Sequence, residues 1–253
     1  MKQHVLLLCF CIAAALVCGS CASARRQNVS QRALCDAHMA VAIKKYNAGK
    51  FSSAKNILDD VKEKCNGSEI MDSAQYYLAM CLMQMKFYPE AKLEFTRLMQ
   101  DFPRSPFLDE SRFRIGYCVL KSSRSIDRDQ TEIAEAQRLF QDFLENYPSS
   151  PYADSAAKYL KVTVEQLAAK EFASAKFYQK LGEKEAAIIY FKTFIQDYPA
   201  SDLVAQARLN IGQLLIELNR KAEAREVLDE LAAQETTGEV AAKVRELLAR
   251  CKE

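Results

Sequence analysis

Apolar positions along the chain recur three and four residues apart, in segments separated by short polar breaks. Phe95, Leu98 and Phe102 close one such segment, Phe140 and Phe143 a second, and Phe191 and Phe194 a third. Residues spaced this way share one face of an α-helix. Each set runs into a proline, at Phe102-Pro103, Tyr147-Pro148 and Tyr198-Pro199. Proline lacks the N–H that a helix interior needs and restricts the residue before it, so each helix stops there. Small residues stand twelve apart at Ala42 and Ala54, Ala79 and Ala91, Ala175 and Ala187, and Gly212 and Ala224. They fit points where two antiparallel helices cross closely. The pattern predicts helix pairs over 33–47 and 53–64, 72–85 and 89–100, 172–181 and 183–197, and 203–218 and 221–233.

A third hairpin is irregular. Gly116 and Ala136 take its small positions but stand twenty apart, which implies about eight inserted residues near 122–131. That stretch is polar and alternates in charge, so it reads as a loop, with Asp129 or Thr131 capping the next helix. Ser105-Pro106 and Ser150-Pro151 read as helix starts, serine capping and proline at the first helical position. Asp109 and Asp154 fall in first turns, where the helix dipole favours negative charge. A helix over 154–170 lies outside the simple plan, and 240–250 reads as a capping helix with Leu247 and Leu248 inward. Five hairpins of about 34 residues match the tetratricopeptide period. The expected fold is therefore all-α, a tetratricopeptide-like superhelical solenoid of about five helical hairpins. The concave face of such a stack takes extended peptides or partner domains.

Composition narrows the function. With 35 basic and 33 acidic residues and no block of like charge, the chain lacks a nucleic-acid footprint. The absence of tryptophan and the low glycine and proline counts suit an all-helical chain. His38 is the sole histidine after the N-terminal segment, and neither a glycine-rich phosphate loop nor a nucleophile–base pairing stands out. An enzyme, a metal site or a cofactor is not expected, and His38 reads as a surface or capping residue.

Residues 1–20 read as a signal peptide. Lys2 and His4 precede an apolar run, 5–17, of thirteen residues, short of the roughly 20 that span a bilayer. Gly19 and Ser20 then lead into Cys21. This arrangement resembles a bacterial lipobox, in which the thiol is lipidated, although Cys18 stands where an aliphatic residue is usual. An ordinary secretory signal cut after Ser20 or Ala22 remains the alternative. Ala22 differs from the aspartate of inner-membrane retention, so outer-membrane sorting is expected, with 21–32 as a lipidated tether. Beyond Cys21 five cysteines remain, Cys35, Cys65, Cys81, Cys118 and Cys251, with no metal-site spacing. Cys81 and Cys118 lie in apolar runs and read as small core residues. Cys35 and Cys65 could face each other across the first hairpin, which leaves open a disulfide in an oxidising periplasm.

Candidate recognition residues are aromatic. Tyr76 and Tyr77 are adjacent and cannot point the same way on a helix, so one packs while the other is free to line a groove. Tyr46, Tyr117 and Arg114 could join it in an N-terminal patch, tyrosine and arginine being favoured binding anchors. The competing reading is that these tyrosines fill the inter-repeat core.

The element Asp127-Arg128-Asp129, followed by Ala136, Phe140, Phe143 and Tyr147-Pro148-Ser149-Ser150, resembles the BamD family, lipoproteins of the outer-membrane β-barrel assembly machinery. The resemblance continues through Leu167-Ala168-Ala169-Lys170-Glu171, Ala175-Lys176-Phe177-Tyr178, Gly182 and Asp197-Tyr198-Pro199-Ala200-Ser201. It covers about 33–233. It implies a non-enzymatic, lipid-anchored scaffold on the periplasmic face of the outer membrane. N-terminal hairpins, 33–120, would bind the targeting strand of unfolded barrel precursors through Tyr46, Tyr76, Tyr77, Arg114 and Tyr117. After an inserted loop, 121–132, the C-terminal hairpins and cap, 133–253, would dock periplasmic domains of the barrel-forming assembly protein. Phe177, Tyr178, Tyr190 and the Asp127-Arg128-Asp129 element fall on that docking side. Accessory assembly lipoproteins are implied as further partners. An arginine that some members carry near the place of Tyr190 is absent here, so its ion pair is not carried over. Another periplasmic repeat adaptor, such as a cell-envelope or division coordinator or a secretin pilotin, is the alternative.

Overall fold

The computed structural model describes residues 31–122, 130–234 and 238–252. Among these, eleven helices and no strand are found. They are α1 (31–47), α2 (Phe51–Lys64), α3 (Met71–Gln84), α4 (Tyr88–Asp101), α5 (Leu108–Ser122), α6 (Gln130–Asn146), α7 (Ala153–Lys180), α8 (Lys184–Asp197), α9 (Val204–Glu217), α10 (Lys221–Ala232) and α11 (Gly238–Arg250). The chain divides into two compact units, Met1–Cys118 and Val119–Glu253.

Two local devices, repeated along the chain, make the hairpins. The first ends the leading helix of a pair. At Gly49, Lys86, Gly182 and Asn219 the backbone turns left-handed, with φ of 71°, 65°, 83° and 57°. Each of these residues donates its N–H back three residues, and the next residue donates back five, as in Gly49 to Tyr46 and Lys50 to Lys45. That is a Schellman cap, which satisfies orphan carbonyls while reversing the chain. The second device follows the aromatic-proline stops. Ser105, Ser150 and Ser201 donate their N–H to the carbonyls of Phe102, Tyr147 and Tyr198. Their hydroxyls accept from the N–H two residues on, at 3.3, 3.4 and 3.2 Å. Serine does this readily in turns. Ser105 Oγ also donates to Asp72 Oδ2 at 2.9 Å, and Ser201 Oγ to Glu165 Oε2 at 2.8 Å. These bonds tie one hairpin to the one before it.

The twelve-residue pairs lie at the crossings as expected: Ala42, Ala54, Ala79, Ala91, Ala175, Ala187 and Ala224 are fully buried. A Cβ added at Gly212 would stand 2.7 Å from a methyl of Leu228, so α9 and α10 cross too closely there for alanine without a shift.

In the first unit, Leu58, Phe95 and Leu98 are fully buried among the alanines and Cys81 and Cys118. Burial pushes the Cys81 thiol up to about 11 and that of Cys118 to about 12, so both remain protonated and inert at neutral pH. Glu94, almost buried, bridges three helices: it accepts from Lys62 of α2 at 2.9 Å, from Gln75 of α3 and from Arg97 of α4 at 2.6 Å. Cys35 and Cys65 are joined by a disulfide that closes α1 against the end of α2, their Cα atoms 5.9 Å apart. In the second unit, Phe172 meets Phe191 and Phe194 edge to face, at 5.4 and 5.6 Å between ring centres. Leu228, Leu231, Val244 and Leu247 join α10 to α11, with Leu248 partly buried beside them.

Three expectations are corrected. The helices expected over 154–170 and 172–181 are one 28-residue helix, α7. No glycine or proline interrupts that span, and the first breaker is Gly182. Pro106 and Pro151 are not at first helical positions, since α5 begins at Leu108 and α7 at Ala153. Both prolines instead lie in the serine-closed turns. Thr131 is inside α6 and cannot be its N-cap, and helix covers both ends of the loop expected over 121–132, through Ser122 and from Gln130. Asp127, Arg128, Asp129 and Cys21 lie outside the described residues.

Candidate functional site: two aromatic surfaces

The first unit brings Tyr46, Tyr76 and Tyr77 together. Tyr46 of α1 stands edge-on to Tyr77 of α3 at 5.4 Å and to Phe51 at the same distance, and Tyr77 meets Tyr76 at 5.3 Å. Tyr76 is buried and stacks on Phe107 at 4.2 Å. It therefore supports the patch from beneath, while the half-buried Tyr46 and Tyr77 form its rim. Burial raises the Tyr46 phenol, against the opposing pull of a hydrogen bond with Gln84 and the nearby Arg114 charge. Arg114 is held by Glu110 one turn away, at 2.8 Å, and its guanidinium lies 5.5 Å from the Phe113 ring centre. Tyr117 turns instead toward Tyr88, 6.3 Å away. Tyr46, Tyr76 and Tyr77 thus share one cluster, with Arg114 near Tyr46 and Tyr76 the least accessible.

The second unit carries the opposite arrangement. Phe177 is 57% exposed and Tyr190 38% exposed. Tyr178 of α7 and Tyr190 of α8 stack at 4.4 Å, and the Tyr190 hydroxyl donates to that of Tyr178 at 3.2 Å. That bond holds the Tyr190 phenol above its usual range. With Lys170, Ala173 and Ser174, these three aromatics line an open groove of about 390 Å³. Sequence reasoning missed two neighbours, Leu181 and Ile189, which are 58% and 63% exposed. For Ile189 the signal was present. The run 186–191, Ala-Ala-Ile-Ile-Tyr-Phe, is apolar on more sides than one buried face can accommodate, so part of it must face outward. Large exposed apolar side chains grouped like this mark interaction surfaces.

Among the described residues, no group of three or more His, Cys, Asp or Glu is placed to hold a metal. Nor is any described helix long and apolar enough to cross a membrane. His38 is half-buried on α1.

Sequence comparison gives the arrangement a context. One relative, the outer membrane protein assembly factor BamD of Caulobacter vibrioides, is 29% identical over 137 residues, covering 53% of this chain and 45% of that protein. The protein of the same description from Pasteurella multocida is 27% identical over 169 residues, covering 63% of this chain and 65% of that one. The matched stretches thus span less than two thirds of either relative. A solved TPR protein from Thermus thermophilus aligns over 85% of this chain and 99% of its own at 14% identity, with a TM-score of 0.38. That score is too low to bear on the arrangement of helices here. Residues 37–233 match the YfiO family of outer membrane lipoproteins, most of the chain. The chain belongs to that family.

Proposed function

We propose that this chain is a non-enzymatic scaffold of outer-membrane protein assembly, anchored by lipid at Cys21 and facing the periplasm. The exposed Phe177–Tyr178–Tyr190 surface of the second unit docks a periplasmic domain of the barrel-forming assembly protein. The tyrosine edge of the first unit receives the aromatic-ended targeting strand of an unfolded precursor. No bond is made or broken. Holding client and insertase on one chain at the membrane raises their effective concentration, which is the work of a scaffold. Accessory lipoproteins bind the same assembly.

The observation that carries this reading is the exposed aromatic groove of the second unit in a chain whose family is that of outer membrane lipoproteins. Three large side chains kept at an open surface, two of them stacked in a fixed geometry, suit a preorganised docking site. Affinity purification of the full chain from solubilised envelope, compared with Phe177→Ser/Tyr190→Ser, tests it. The unaltered chain is expected to retain the barrel-forming protein and the double variant to lose most of it. Equal recovery would refute docking through this surface. Intact mass of the membrane-extracted protein against Cys21→Ser reads the anchor separately, and absence of acyl mass would refute it.

A further inference from the structure

We infer that the outer face of α1 is a membrane-surface contact, resting against the phospholipid bilayer. The inference builds on the anchored reading above. At about 100° per residue, Ala33, Leu34, Ala37, Ala40 and Val41 fall on the side of α1 opposite Cys35, Met39 and Ala42, which are buried against the first unit. All five outward residues are exposed, Leu34 to 50% and Val41 to 45%. A helix that ends an array normally turns a polar face outward. This one has apolar side chains on both faces.

Charge and distance select the occupant. Across 31–47 the basic residues are Arg32, Lys44 and Lys45, and the single acid, Asp36, borders the face on its Ala40 side, away from Leu34 and Val41. Lys44 and Lys45 flank that stripe one turn beyond Val41. Apolar residues bordered by lysine suit an anionic lipid surface. A parallel pair of α1 helices through this face would bring the lysines of two copies together, which disfavours that arrangement. Cys21 precedes α1 by ten residues, a chain that reaches at most about 34 Å. An acyl chain there keeps α1 close to the headgroups.

The start of α1 is also held rigid. Besides the Cys35–Cys65 disulfide, Gln31 Nε2 donates to the Lys64 carbonyl at 3.2 Å, and Arg32 lies 3.9 Å from Glu69. The disulfide fixes the rotation of α1 and so the face it offers, and the two surface contacts add little to it. The contact is weak by area. It orients the first unit against the bilayer, and attachment falls to the lipid.

The test uses the mature chain bearing Cys21→Ser, so that no acyl group contributes. It is co-sedimented with phosphatidylethanolamine–phosphatidylglycerol vesicles and, in parallel, with phosphatidylcholine vesicles. The unaltered face is expected to bind the anionic vesicles in a salt-sensitive way, and Leu34→Asp/Val41→Asp to weaken binding about tenfold. Lys44→Glu/Lys45→Glu should weaken only the anionic binding. Leu93→Ser/Val162→Ser, which removes a comparable exposed apolar pair away from α1, should change neither. Far-ultraviolet circular dichroism checks that each variant keeps its helices. Vesicle binding indifferent to the α1 variants would overturn the inference, whatever the state of Cys21. So would sedimentation velocity showing a dimer that Leu34→Asp/Val41→Asp dissolves. An unacylated Cys21 would sink the anchor while leaving the vesicle result to stand.

Discussion

The two units use the same hairpin grammar and place their aromatic residues in opposite ways. In the first, Tyr46, Tyr77, Tyr76 and Phe95 pass ring to ring from the half-buried rim to the core. In the second, Phe177 is more than half exposed and Tyr190 over a third, the latter braced by Tyr178. The units are also closed differently. A disulfide seals the first, whereas in the second Arg220 clasps Glu185 of α8 at 2.9 Å and Glu223 of α10 at 2.5 Å. Aromatic content alone therefore does not locate a binding surface in a repeat protein. What locates it is an aromatic residue that the packing leaves over.

The sharpest way to break the comparison is to truncate one ring from each class. Phe95→Ala empties a fully buried site in the first unit and is expected to cost about 3–5 kcal/mol. Phe177→Ala, at a site more than half exposed, should stay within about 0.5 kcal/mol of the parent. Urea denaturation of both variants measures the difference, and a large loss from Phe177→Ala would mean that its ring is structural. The next largest effect concerns closure. The Cys35–Cys65 link joins residues 30 apart in sequence, for which chain entropy suggests roughly 3–4 kcal/mol. Reduction should lower the unfolding midpoint of the first unit and leave that of the second unchanged, as read by hydrogen exchange resolved along the sequence.

How far the sequence reaches depends on the kind of information it holds. The helix pairs are legible because Ala42–Ala54, Ala79–Ala91 and Ala175–Ala187 are local facts about spacing, and all six are buried at crossings. The join of two expected helices into α7 is not, because the repeat register suggests a break that no residue between Ala153 and Lys180 enforces. Ser105 and Ser150 are legible as turn-formers, but not their distance from the helix that follows. A Ser-Pro pair can cap directly or close a turn ahead of the helix, and the choice depends on contacts such as Ser105 to Asp72. Tyr76 groups with Tyr77 as a site residue in the sequence, yet only its neighbour reaches the rim. Adjacency fixes that they diverge, but which one is buried depends on Phe107, a ring thirty-one positions away. Leu181 and Ile189 escape a search confined to aromatics, although the excess of apolar residues in α8 announces Ile189.

The smallest expected effect concerns the four Schellman caps and sharpens the view that one turn serves both units. Two use glycine, one asparagine and one, in the first unit, lysine. The left-handed conformation crowds the Cβ of an L-residue against its own backbone, and asparagine tolerates it better than lysine does. Lys86, at φ 65°, thus holds a conformation that glycine would adopt without crowding. Its side chain is largely open to solvent, so removing it forfeits little packing. Lys86→Gly is accordingly expected to stabilise the first unit by about 0.5–1 kcal/mol, the relief of strain exceeding the added freedom of the unfolded chain. Thermal unfolding followed by circular dichroism should show a rise of a few degrees, roughly as such a change converts to midpoint. A fall would mean that the lysine stem covers Phe87 and Leu93, exposed nearby in sequence, more effectively than its open position suggests. Gly182→Lys, the reciprocal change, should then cost the second unit a similar amount, because the same backbone angle recurs there with nothing within 4 Å of the added Cβ. Equal and opposite shifts in the two units would establish that the turn's energetics belong to the repeat and not to either surface it supports.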